Sequence, residues 1–353
     1  MRRGKFLIFP VQRLIVSEHR LCRKICPCCS NKNYGKAPVY VTGHTQYGPN
    51  LGAVCIYFYN VHMLPYERIA EMIEALYGQR LSEQIIINYI NEYGNISESY
   101  QDIIEENIRE SELAHHDETG FRALGKLHWI LTSGNELWSK YWISKKRGEV
   151  MKGLTNFMVR DCFKPYDSYN PEATTSLCNA HILRELDSIK DVSEWSRKMH
   201  KLLILLCMVK NRYLAKDCEI PINLQKIAIH RYEKIVRNTY HIINKNPPKT
   251  KTIEGKAFAL LKRLITRKDD ILRFLYHKIV PFTNNLAERD LRMMKVKQKI
   301  SGCFRTLSGA KVFCSARGVI KSLVKQNAKI LPTISESLKN GKINFPILAT
   351  AAL

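Results

Sequence analysis

The sequence has no apolar run long enough to cross a bilayer. Its longest, Leu202 to Val209, falls far short of the ~20 residues a membrane helix needs. There is no internal repeat and no low-complexity tract. A basic start, Met1-Arg2-Arg3-Gly4-Lys5, precedes an apolar stretch from Phe6 to Val16. Gln12 and Arg13 interrupt that stretch and no small-residue cleavage site follows, so it is not read as a signal peptide. Disulfide patterning is also missing. Of eleven cysteines, four fall in Cys22-Arg23-Lys24-Ile25-Cys26-Pro27-Cys28-Cys29 and the rest are scattered. That suits a reduced, soluble, cytoplasmic protein without a membrane partner. Acidic residues are scarce, at 32 against 56 Lys and Arg, for a net charge of +24.

What is present is a chain of 353 residues, 45% hydrophobic and 25% charged. That composition supports an ordered core in two or three domains. The basic excess points to a polyanion, since neutralised phosphates release counterions. The charge is uneven. Residues 1–36 carry nine Lys/Arg and one Glu, residues 37–120 carry three basic and thirteen acidic groups, and residues 286–353 carry thirteen basic and three acidic. A nucleic-acid footprint is therefore expected mainly on the two ends and the central basic remainder.

Residues 1–36 read as a basic, cysteine-rich segment. Cys26 and Cys29 have the two-residue gap with which two thiolates share a zinc ion. A second pair is missing, with His44 and Cys55 as lone candidates, so zinc and unligated thiols both stay open. Residues 37–112 read as a small helical domain. Pro65 suits a helix start, Ile69, Met72, Ile73 and Leu76 share a face, Gly78 can end the helix, and Ser82 can cap the next. A helix-turn-helix and a plain hairpin fit equally. A further helix is expected from about Glu98 to Glu112. From residue 113 the pattern becomes α/β. Strands are expected at Leu113–Asp117, Leu127–Thr132, Leu137–Ile143 and Asn156–Asp161, with a turn at Ser133-Gly134-Asn135 and a helix at Arg147–Leu154. Residues 176–280 read as helical, divided by a loop at Asn246-Pro247-Pro248. Another helix follows Pro281, and residues 331–353 form a tail.

Two strand-borne aspartates and a distant helical glutamate suit phosphodiester chemistry, because two divalent ions about 4 Å apart need hard carboxylate oxygens. Composition alone does not select them. His116-Asp117-Glu118-Thr119-Gly120 resembles the first-aspartate motif of the DDE transposases of insertion-sequence family sixty-six. Arg160-Asp161-Cys162-Phe163-Lys164-Pro165-Tyr166 resembles the second. Pro281-Phe282-Thr283-Asn284-Asn285-Leu286-Ala287-Glu288-Arg289-Asp290-Leu291-Arg292 is similar to the glutamate helix, and Leu177-Cys178-Asn179-Ala180-His181 to the Cys/His helix. The likeness covers roughly residues 20–330.

The resemblance implies a ribonuclease-H-like catalytic core (113–175 and 281–330) with a large α-helical insertion (176–280). It implies DNA strand cleavage and transfer at Asp117, Asp161 and Glu288, which would bind Mg²⁺ or Mn²⁺. Asp167 stands close enough to compete with Asp161. Glu118 is left out, as facing the other side of the strand. Cys178 and His181 share a helix face behind the centre. Arg289, Arg292, Lys295, Lys297, Lys299 and Arg305 form a basic tract for phosphates. The implied partners are double-stranded DNA (the element's terminal inverted repeats and a target), a second copy of the chain, and companion proteins of the same element, in a prokaryotic cell. Members of that family carry a further helical region before the cysteine segment, so a shortened copy is expected here. An active transposase, a DNA-binding remnant and a nuclease without strand transfer remain three readings.

Overall fold

The computed structural model describes residues 14–38, 43, 46–149, 151–154, 156–168, 170–302 and 304–351. His44 and most of the apolar stretch behind the N terminus lie outside them. The chain begins with short strands β1 (Arg23–Ile25) and β2 (Lys32–Tyr34), then helices α1 (Pro49–Asn60), α2 (Tyr66–Tyr77), α3 (Glu83–Glu98) and α4 (Gln101–Arg109). Strands β3 (Leu113–Ala123), β4 (Lys126–Gly134), β5 (Ser139–Ser144), β6 (Phe157–Arg160) and β7 (Thr174–Leu177) follow. Then come α5 (Asn179–Ser188), α6 (Glu194–Leu214), α7 (Ile222–Ile243), α8 (Ile253–Thr266) and α9 (Lys268–Tyr276). The last helices are α10 (Asn285–Ser301), α11 (Leu307–Lys325), α12 (Ile330–Asn340) and α13 (Pro346–Ala351). They divide into two compact units, one of Met1–Gln101 with Val296–Leu353 and one of Asp102–Lys295. Among the described residues, no helix is long and apolar enough to cross a membrane.

The first unit is helical. In α2, Ile69, Ala70 and Ile73 are buried, and Gly78 ends the helix at φ 73, its N–H returning to the Glu74 carbonyl. This left-handed cap is what glycine provides. The Ser82 side chain caps α3 by accepting from the Ile85 N–H. The helix expected from about Glu98 to Glu112 is α4, which starts at Gln101 because α3 runs to Glu98. Helix α3 lies close against α11: a Cβ on Gly94 would stand 2.5 Å from Val312 Cγ1. In the same unit, β1 and β2 pair antiparallel, from Arg23 opposite Tyr34 to Ile25 opposite Lys32.

The second unit is mixed α/β. Its five strands lie in the order β5-β4-β3-β6-β7. Strands β3, β4 and β5 are antiparallel neighbours, while β6 and β7 run parallel to β3. Leu124 and Gly125, at φ 50 and 74, close the β3–β4 hairpin between Ala123 and Lys126, the double positive φ of a tight hairpin turn. Strand β4 continues through Gly134, so the turn falls later than the expected Ser133-Gly134-Asn135. Residues 135–138 make the connection instead, the Asn135 Oδ1 accepting from the Leu137 and Trp138 N–H groups at 2.9 and 2.7 Å.

No helix forms among the described residues of Arg147–Leu154. Gly148 and Gly153 sit at φ 78 and 76, conformations that interrupt a right-handed helix. Helices α5 to α9 bury Ile182, Leu186, Met199, Leu203, Tyr232 and Leu261, among others, in one core that continues into Leu177 and Phe282. Helices α8 and α9 meet at Arg267 (φ −114), whose guanidinium pairs with Asp167 at 2.8 Å and Asp270 at 2.6 Å.

Candidate active site

Parallel pairing sets the level of the acidic groups. In the β3–β6 register Leu113 lies opposite Phe157 and His115 opposite Val159. The same offset carried two residues further puts Asp161 level with Asp117. In the β6–β7 register Arg160 lies opposite Leu177. One residue on, Cys178 is level with Asp161, and its N–H donates to the Arg160 carbonyl at 2.8 Å. Three chemically active side chains thus stand in a row where β3, β6 and β7 reach the same edge. Strands β6 and β7 end there, while β3 runs on.

The N terminus of α10 is fastened onto this row by Asn284, which is buried at 2% exposure. Its Oδ1 accepts from His115 Nδ1 at 2.8 Å and its Nδ2 donates to the His116 carbonyl at 2.6 Å. Its backbone N–H donates to Cys178 Sγ at 3.1 Å. Its carbonyl accepts the Glu288 N–H at 3.1 Å. Asn284 is therefore the cap from which the glutamate helix starts, tied to both residues preceding Asp117. Further along, Asp290 is buried and accepts from Ser139 Oγ at 2.7 Å, while the Tyr141 hydroxyl donates to its carbonyl at 3.2 Å. Sequence reading gave neither residue a role. An Asn that caps a helix looks the same whether or not its amide also reaches a strand.

Glu288 sits one turn into α10. Its Oε1 lies 3.6 Å from Cys178 Sγ, 3.6 Å from His181 Nδ1 and 3.8 Å from an Arg184 guanidinium nitrogen. Burial pushes the Cys178 thiol up to about 11, against the lowering effect of the Asn284 N–H.

The environment of Asp117 is the most perturbed of the carboxyls. Burial first, and then the charges of Asp161 and Glu288, push it up to about 7; the Glu118 N–H and Lys295 act the other way. Desolvation and like charge both disfavour a bare carboxylate. Asp161 and Glu288 are thus near enough for their charges to reach Asp117. Asp161 Oδ1 accepts the Phe163 N–H at 2.9 Å, and no ion pair holds it among the described residues. The nearby rival Asp167 is differently placed. Partial burial opposes it, but Arg267 and Arg160 hold its carboxyl below the ordinary value. Glu118 is committed to Arg147 Nε at 2.6 Å and the Gly148 N–H at 2.7 Å.

The basic residues separate. Arg289, Arg292 and Lys295, in the second unit, are exposed, and none has an ion-pair partner among the described residues. Lys299 and Arg305, in the first unit, are exposed as well. Lys297 departs from the expected tract. It is buried at 2% exposure, with its Nζ 3.7 Å from the Tyr59 ring centroid and 5.5 Å from that of Phe313. Burial pushes its ammonium down to about 7, and the ring faces oppose this by favouring the cation. It packs inside the first unit rather than meeting solvent.

Cys26 and Cys29 lie at the turn joining β1 to β2, where the Cys26 carbonyl accepts the Ser30 N–H at 2.9 Å. The backbone N–H groups of Cys29 and then Cys28 hold the Cys26 thiol below its ordinary value. Among the described residues, no third ligand gathers there; the group of three within 4.8 Å of one another is Cys178, His181 and Glu288.

The family model described as Transposase IS66 family matches residues 44–312. No curated protein sequence matches the chain. The matched span contains both aspartates, the Cys/His turn and the glutamate helix.

Proposed function

Because the chain belongs to the IS66 transposase family, we propose that it cuts and joins DNA at a centre formed by Asp117, Asp161 and Glu288. The observation that carries this reading is the register that brings Asp161 level with Asp117, together with the upward push that Asp161 and Glu288 exert on the Asp117 carboxyl. A concentration of hard oxygen donors, strained by its own charge, fits divalent Mg²⁺ or Mn²⁺. Bound there, such ions activate an attacking oxygen and stabilise a leaving one.

The chain's own residues supply the rest. Asn284 holds the glutamate helix against β3. The Cys178 thiol, donating at 3.6 Å, and the Arg184 guanidinium, 3.8 Å away, stand beside one oxygen of Glu288. Arg289, Arg292 and Lys295 hold phosphates of the bound strand, neutralising charge without reading sequence. The strand order β5-β4-β3-β6-β7, antiparallel then parallel, supports a ribonuclease-H-like core, with α5 to α9 as the helical insertion before Glu288. The DNA partner is the terminal inverted repeat, with a target duplex. Two ends must be held together, which calls for at least a dimer on DNA, aided by companion proteins of the element.

Joining distinguishes this function from simple nuclease action. A duplex ending in the element's own pre-cut 3′ hydroxyl, mixed with plasmid and Mg²⁺, is expected to yield covalent end–plasmid products. Metal-dependent nicking with no joined product at any protein concentration would reduce the reading to a nuclease.

A further inference from the structure

We propose that Cys178, His181 and Glu288 form a binding site for a borderline transition cation of the zinc class. Their ligand atoms lie within 4.8 Å of one another. Glu288 Oε1 is 3.6 Å from both Cys178 Sγ and His181 Nδ1. Tetrahedral ligands on bonds of about 2.0–2.3 Å stand about 3.3–3.7 Å apart, so both edges already have the length that zinc coordination requires. For an imidazole and a carboxylate, 3.6 Å is too long for a direct hydrogen bond.

His181 Nδ1 points the same way. It is buried and has no hydrogen-bond partner, a cost that a metal ligand removes. The positions are preset by backbone. Cys178 caps the N terminus of α5 and His181 lies in its first turn, three residues on and thus on the same face. The Asn284 N–H already donates to the sulfur, the kind of outer hydrogen bond that orients a ligating atom. Thiolate and imidazole select zinc-like ions, whereas Mg²⁺ prefers oxygen. On binding, the metal takes the place of the Cys178 thiol proton, which leaves to solvent. A fourth position remains for water.

Glu288 belongs to both ligand sets. Resting on the proposed function, the consequence is that a zinc-class ion engages a carboxylate the cutting centre needs, so that it inhibits Mg²⁺-dependent cleavage.

The probe is Co²⁺ added to the full chain in which Cys22, Cys26, Cys28 and Cys29 are serine, removing the other thiol cluster. One equivalent is expected to give a sulfur-to-cobalt charge-transfer band and tetrahedral visible bands, bleached by Zn²⁺ but not by Mg²⁺. Cys178→Ser is expected to abolish the charge-transfer band. His181→Ala is expected to weaken Co²⁺ binding by more than the roughly 10–100-fold cost of removing an outer hydrogen bond. A purely octahedral spectrum, or a sulfur band that survives Cys178→Ser, overturns the site. Thermal melts confirm that the variants fold; should Cys178→Ser not fold, unchanged affinity in His181→Ala overturns it instead. These optical outcomes hold whether or not the protein cuts DNA. Zn²⁺ inhibition of cleavage, relieved by His181→Ala, tests the inhibitory consequence alone.

Discussion

Replacing Asp117 by Asn should make the metal-free protein more stable at neutral and alkaline pH. The carboxyl is pushed from an ordinary value of 3.8 up to about 7 by burial and by Asp161 and Glu288. Each tenfold change in proton affinity corresponds to about 1.4 kcal/mol, so roughly three decades set a ceiling of about 4 kcal/mol. The folded value is the higher one, so the folded state binds more protons between the two values. Stability is therefore full below pH 4 and falls as pH rises toward 7. The uncharged amide escapes that loss. For a unit of this size, ~2–4 °C accompany each kcal/mol, so the variant should melt several degrees above wild type at pH 8 in EDTA. The difference should shrink steadily toward pH 4. Added Mg²⁺ should stabilise wild type and leave the variant nearly unmoved, because the ion offsets the charge that Asn lacks. Calorimetry across pH 4–8 with and without Mg²⁺ measures all of this. A variant less stable at pH 8, or a difference independent of pH, would refute the picture of three acids sharing one desolvated space.

Two further predictions concern the supports of the site. Alanine at Arg289, Arg292 or Lys295 should each lower the slope of log affinity against log salt on end DNA by ~0.9 for every phosphate no longer neutralised. Lys297→Ala should leave that slope alone and lower the melting temperature, since its ammonium packs on Tyr59; a salt titration beside a melt separates the two effects. Asn284→Ala removes the amide's hydrogen bonds to His115 and the His116 carbonyl, at about 0.5–1.5 kcal/mol for each bond lost. It should also raise the Mg²⁺ concentration needed for half-maximal cleavage, and an unchanged Mg²⁺ requirement would show that Asn284 only stabilises the fold.

Some of this was legible in the residues themselves. Strands β3 to β6 and the helix bearing Glu288 announce themselves by local apolar patterning and by Pro281. The divided helices at Asn246-Pro247-Pro248 do so by proline. Strand β7 did not, because Thr174–Leu177 is too short to show a period and owes its place to long-range pairing with β6. The level of Cys178 beside Asp161 depends on that pairing, so it was invisible too. The helix expected at Arg147–Leu154 fails because Gly148 turns its N–H to Glu118, a partner distant in sequence. Lys297 reads as one more cation on a basic helix, since nothing nearby reveals the aromatic rings that cover it. Asp167 and Asp161 look alike in sequence, since the guanidiniums of Arg160 and Arg267 that hold Asp167 reach it only through the fold.

The central claim is tested most directly by incubating a labelled duplex carrying the element's own end with Mg²⁺ and comparing four variants with wild type. Asp117→Ala, Asp161→Ala and Glu288→Ala should each abolish metal-dependent cleavage while still binding the end. Asp167→Asn should continue to cut. Cleavage that persists in any of the first three, or a wild-type protein that binds the end and never cuts it, would contradict the account.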